Sequence, residues 1–146
     1  MGIYGLPYDG IKAIRAERNR LAQQEKELAA EIGRLKQAFL DTFGLGAPVV
    51  FLHERNRAFM PLVWRDMTQG RNRRIRVAVG DKDWLRAISR LEKDVQRKLL
   101  GFEESRMFLN HALGMVRYDL ERVSRLEREF DAWRRLMREM NQGEGN

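Results

Sequence analysis

Between Ile11 and Phe39, apolar side chains recur at Ile11, Ile14, Leu21, Leu28, Ile32, Leu35 and Phe39. Arg18 and Glu25 occupy the two remaining places of an alternating three-four spacing. This seam predicts a helix over residues 11–43, long enough to pair with another helix as in a coiled coil. Asp9 or Gly10 can start the helix, because a helix start favours a short polar or glycine cap. Gly44 and Gly46, just past the last apolar positions, can end it. Charged groups inside an apolar seam weaken it while fixing register or partner, so the pairing is expected to be specific rather than strong.

Past Ala47 the spacing shifts from helical to alternating. Val49-Val50-Phe51-Leu52, then Phe59 to Met67, then Arg74-Ile75-Arg76-Val77-Ala78-Val79 read as three antiparallel strands. The turn Thr68-Gln69-Gly70-Arg71-Asn72 makes a β-hairpin of the last two. Pro61 has no amide hydrogen for a ladder, which places it at a strand edge or a bulge. Along the third strand Arg74 and Arg76 share one face, and Ile75, Val77 and Val79 share the other. One face is suited to apolar helices and the other to water or phosphate.

Helical spacing returns after Gly80, with Asp81 as N-cap ahead of Trp84, Ile88, Leu91, Val95 and Leu99. Gly101 predicts a break or kink. A second stripe then runs through Leu109, Leu113, Val116, Leu120, Val123, Phe130 and Met137, with Trp133 beside it. Unbroken from Glu103 to Met140, this last helix would be about 57 Å long. The expected fold is α+β in a single domain. A long N-terminal coiled-coil-like helix (11–43) precedes a three-stranded antiparallel sheet with a basic hairpin (48–79). Two C-terminal helices follow over 82–140, as a helical hairpin or a kinked long helix with the last part very long, and residues 141–146 form a disordered tail. Both seams need partners, so they are expected to pack on each other and across a homodimer.

Composition removes several classes of function. At 146 residues the chain can bury a core without a metal or disulfide. It has no cysteine, which excludes a disulfide framework, a thiolate nucleophile and every cysteine-ligated zinc site. The first residues lack the basic start and apolar run of a signal peptide, and no stretch reaches bilayer-spanning length, so a cytoplasmic protein with no membrane partner is expected. His53 and His111 are the only histidines and lack the spacing of paired metal ligands; both are expected to be packed or half-exposed rather than catalytic. The carboxylates interleave with arginine along the helices, as in Glu121-Arg122, Arg125 with Glu129 and Arg128 with Asp131, a pattern of solvated ion pairs rather than acid-base dyads. Gly44-Leu45-Gly46 lacks the preceding strand and following Gly-Lys-Ser/Thr of a phosphate loop. No catalytic residue, cofactor or metal is expected, and the chain reads as a protein that is not an enzyme.

Charge then changes the picture. The formal net charge is +7, and from Arg55 to Arg76 seven arginines stand against a single acid, Asp66, so that one segment holds +6 of it. Arg55, Arg57, Arg65, Arg71, Arg73, Arg74 and Arg76 therefore form a local basic feature rather than part of a generally basic surface. A guanidinium offers a planar fork of donors that suits phosphate oxygens and the guanine edge, and a two-stranded ribbon can enter the major groove. Phe59 and Trp64 are candidates to stack on bases of a single strand; the alternative is that both rings are core and the arginines only protect a sheet edge from aggregation. The expected partner is nucleic acid, DNA rather than RNA, with Trp64 and the seven arginines as contacts. Two alternatives share the charge pattern: a coiled-coil adaptor or inhibitor whose basic hairpin meets an acidic protein, and an RNA-binding protein.

Trp64-Arg65 followed by Gly70-Arg71-Asn72-Arg73-Arg74-Ile75-Arg76-Val77, set between coiled-coil-prone helices, resembles small accessory DNA-binding proteins of conjugative plasmids and integrative elements. The likeness covers residues 59–130. Some of those proteins are mobilisation factors that act with a relaxase at an origin of transfer, and others occur beside integrases. The resemblance implies an auxiliary that marks or shapes DNA, with a relaxase or recombinase as its protein partner. No relaxase histidine cluster or tyrosine nucleophile pattern accompanies it.

Overall fold

The computed structural model of the chain describes residues 9–54, 61–68 and 75–145. The N-terminal seam forms α1 (Ile11–Phe43). It begins where the Ile14 amide donates to the Gly10 carbonyl at 3.0 Å, and it ends at Gly44, whose φ of +65° is a left-handed terminus that costs glycine little. A 3-10 turn, Gly44–Gly46, leads to β1 (Val49–His53), β2 (Leu62–Asp66) and β3 (Ile75–Val77), which form an antiparallel sheet in that order. α2 (Lys82–Ile88) and α3 (Lys93–Gly143) complete an α+β fold. Among the described residues no helix is long and apolar enough to cross a membrane.

The chain divides into two compact units, one holding the residues up to 26 and those from 116 on, the other Glu27–Met115. In the first unit α1 and α3 run antiparallel. Arg15 meets Asp131 at 3.4 Å, Arg18 meets Glu127 at 2.6 Å and Glu25 meets Arg117 at 3.8 Å, so position rises along one helix as it falls along the other. Ile14, Leu21, Val116 and Val123 are buried there. The two charged members of the N-terminal seam each face an opposite charge on α3, which is how a polar seam position selects one register.

The second unit is built on the sheet. Strand alternation sends Phe51, Trp64 and Val77, which lie opposite one another in register, to one face. There Trp64 stacks on Phe51 with ring centroids 4.1 Å apart, and it meets Trp84 at 5.2 Å and Phe39 at 5.7 Å. Phe39, Val49, Ala87, Ile88 and Leu99 fill the same core, drawn from α1, the sheet, α2 and the start of α3. A smaller cluster joins Ile32 of α1, Leu62 of β2 and Leu113 of α3, with Leu28, Leu35 and Leu109 against it, so the two seams also meet in this unit.

The interruption expected at Gly101 lies elsewhere. α3 passes through Gly101 unbroken, and the helical region divides at residues 89–92. Two Gln96 side-chain hydrogen bonds brace the turn between α2 and α3. Its amide donates to the Leu91 carbonyl at 2.9 Å and to the Ile88 carbonyl at 3.3 Å, which also accepts the Leu91 amide at 3.0 Å. An exposed mid-helix glycine costs only about 1 kcal/mol against alanine, too little to stop a helix of 51 residues. α3 is therefore about 77 Å long. Asp81 does sit at the N-cap of α2, but its carboxylate turns back to accept the Ala78 amide at 3.1 Å rather than capping the helix.

Candidate nucleic-acid interface

Arg65 on β2 lies directly opposite Arg76 on β3. Alternation puts both on the sheet face away from Trp64 and Val77. Like charges in direct cross-strand register destabilise a sheet unless opposite charges compensate them. Arg76 is half exposed, and its guanidinium pairs with Glu54, the residue after β1. Asp66, the lone acid of the arginine-rich stretch, lies on the opposite face and is 2 % exposed. Its Oδ1 accepts the Thr68 amide at 2.8 Å and the Thr68 hydroxyl at 2.6 Å, the local turn that aspartate favours at a strand end. The Asp66 carboxylate is thereby engaged inside the fold, and the carboxylate that meets Arg76 is that of Glu54. Arg55, Arg57, Phe59, Arg71, Arg73 and Arg74 lie outside the described residues.

Trp64 does not belong to the interface. It is 1 % exposed, enclosed by Phe39, Phe51 and Trp84, and its indole N–H donates to Glu103 Oε2 at 2.5 Å. As the inward residue of the central strand it has no ring face left for a base. The expected stacking role is withdrawn.

In its place stands a polar network the apolar pattern did not reveal. Glu103 also accepts from Arg106 Nε at 2.7 Å and Nη2 at 2.8 Å, while Arg106 Nη1 donates to the Leu62 carbonyl at 3.1 Å. Asn110 donates to the same carbonyl at 2.7 Å and accepts the Leu62 amide at 3.2 Å. The register that sets Trp64 opposite Val77 would bring Val79 opposite Leu62, but β3 ends at Val77 and the chain turns away. The Asn110 amide thus serves Leu62 as a strand residue would, and no buried backbone group is abandoned there. Glu103, Arg106 and Asn110 stand three and four apart on one face of α3; that spacing was the available signal, masked by the ordinary reading of helical Glu and Arg as solvated.

His53, at the end of β1, and His111, on α3 between seam positions, are both exposed to solvent. Among the described residues no group of His, Cys, Asp or Glu is placed to hold a metal. Compared with protein-family models, with curated proteins and with solved structures, the chain matches none of them.

Proposed function

We propose that the protein is a non-enzymatic DNA-binding accessory protein that grips the duplex through its arginine-rich hairpin, residues 55–76. The observation that carries this reading is the cross-strand pair of Arg65 and Arg76 on one sheet face, with the segment's only acid buried on the other. Two arginines in direct register concentrate positive charge on that face, and phosphate oxygens lying against it would accept charge-assisted hydrogen bonds. The burial of Trp64 favours a duplex, held through phosphates and base edges, over a single strand or RNA that would need exposed rings. The resemblance to mobilisation auxiliaries gives the same proposal its setting, a protein that marks or shapes DNA for a relaxase or recombinase.

The test is a gel-shift panel with duplex DNA, single strands and structured RNA, run on the parent and on a variant with Arg71, Arg73, Arg74 and Arg76 replaced by alanine. The variant is expected to lose duplex binding with its helical circular dichroism nearly unchanged, because the helices α1, α2 and α3 lie outside the substituted positions. Wild-type affinity in that variant would overturn the proposal.

A further inference from the structure

In the first unit α3 outruns its partner. The ion pairs of Arg15 with Asp131 and of Arg18 with Glu127 place Ile11, the first residue of α1, level with about Arg134. From there α3 continues to Gly143, about 13 Å further. Over that stretch the positions that carry on the α1-facing line from Glu127 are polar: Arg134, Arg138 and Asn141. The apolar positions lie on the neighbouring flank instead, where Leu126, Phe130, Trp133, Met137 and Met140 follow one another in a four-three spacing. Leu126 and Phe130 are partly buried, whereas Trp133 is 53 % exposed, Met137 40 % and Met140 63 %. The flank stripe is therefore bare from the level at which α1 begins. A continuous line of an indole and two thioethers marks an interaction surface rather than scattered exposure.

The direction and length of the chain say what covers it. α1 runs antiparallel to α3, so the chain that precedes Asp9 is tethered at the end of the pair that carries Trp133, Met137 and Met140. Residues 1–8 hold no charged side chain, although 34 % of the whole chain is charged, and Ile3, Tyr4, Leu6 and Tyr8 are large apolar or aromatic groups. Gly2, Gly5, Pro7 and Gly10 disfavour helix, so this segment is not suited to prolong α1 along the polar line of Arg134 and Arg138. Fully extended, eight residues reach roughly 26 Å, against about 10 Å from Trp133 to Met140. That is enough to cross from the seam to the flank and lie along it. In an extended segment Tyr4, Leu6 and Tyr8 share one face. Laid on the flank, they would remove apolar surface on both sides, and their rings would gain thioether contacts besides. The covalent tether gives this segment a high effective concentration at the stripe, which no separate chain has.

We infer that residues 1–8 are a strap that docks on the flank of α3, with Tyr4, Leu6 and Tyr8 covering Trp133, Met137 and Met140. The inference does not rest on the DNA-binding reading.

Acrylamide quenching of tryptophan fluorescence tests it on the full chain. Of the three tryptophans, Trp64 and Trp84 are each 1 % exposed, so Trp133 is the one that a change in cover would open to the quencher. In the parent protein the strap is expected to shield Trp133. The triple variant Tyr4→Ser, Leu6→Ser, Tyr8→Ser is expected to lose that shielding, with quenching like that of an exposed indole and a red-shifted emission. Its helical circular dichroism should be unchanged, because the substitutions precede α1. The conservative variant Tyr4→Phe, Leu6→Ile, Tyr8→Phe is expected to shield Trp133 as the parent does. A parent quenched as strongly as the serine variant, or a serine variant still shielded, would each overturn the inference. So would shielding that grows with protein concentration, since a second copy would then be the cover.

Discussion

The Trp64 indole N–H donates to the Glu103 carboxylate at 2.5 Å, and Glu103 is in turn gripped by Arg106. This ties the middle of the central strand to one face of α3. Trp64→Ala removes both a fully buried ring and the partner of a buried carboxylate, so a loss of about 3–5 kcal/mol is expected in urea unfolding. Trp64→Phe keeps most of the packing and should cost about 1–3 kcal/mol. An unfolding midpoint unmoved by the alanine change would contradict the burial described here.

Asn110 gives a second prediction, because its side chain meets both the amide and the carbonyl of Leu62. Asn110→Ala should cost about 1–3 kcal/mol by leaving the Leu62 amide unpaired, and Asn110→Asp should cost at least as much by turning a carboxylate toward the carbonyl oxygen. Amide exchange at Leu62 is the direct readout. Protection equal to wild type in the alanine variant would show that Asn110 is dispensable.

The seam makes a third case. Arg18 and Glu127 form a 2.6 Å ion pair in which Glu127 is nearly buried. Glu127→Leu alone strips Arg18 of this partner, and Arg15 of one of its two, and is expected to destabilise. Changing Arg18 and Glu127 to leucine together should be neutral or stabilising, since an apolar pair avoids desolvating two charges. Thermal unfolding of the two single variants and the double in one cycle separates these effects. A double variant less stable than either single would show that the pair contributes more than register.

For the proposed interface, duplex affinity should fall with salt at a log-log slope of roughly −4 to −6, as expected for four to seven phosphate contacts. Glu54→Gln removes the carboxylate paired with Arg76 and is expected to tighten duplex binding roughly threefold, in keeping with a surface pair worth about 0.2–1 kcal/mol. Titrations by fluorescence anisotropy over a salt series measure both. A slope near zero, or weaker binding in the Glu54 variant, would count against the arginine face.

Local chemistry made much of this protein legible before folding. The bounds of α1 follow from an unbroken three-four spacing between Gly10 and a glycine able to turn left-handed, and the seam's partner follows from a second stripe of the same period. Alternation along β3 placed Arg76 opposite in sense to Val77, and the concentration of arginine over residues 55–76 needed only counting. What alternation does not state is which neighbour covers each face. Trp64 therefore reads equally as a stacking platform or as core until Phe39, Phe51, Trp84 and Glu103 arrive from four other elements. The helix break lies at residues 89–92 rather than at Gly101, in a turn braced by the Leu91 amide and the Gln96 side chain, contacts that helix propensity does not see. Asn110 acquired its role only because β3 ends at Val77, short of Leu62, so that a backbone pair on a buried strand needed a donor and an acceptor from elsewhere. The withdrawal of Asp66 is of the same kind: its charge is written in the sequence, but its burial depends on the strand register that turns it inward.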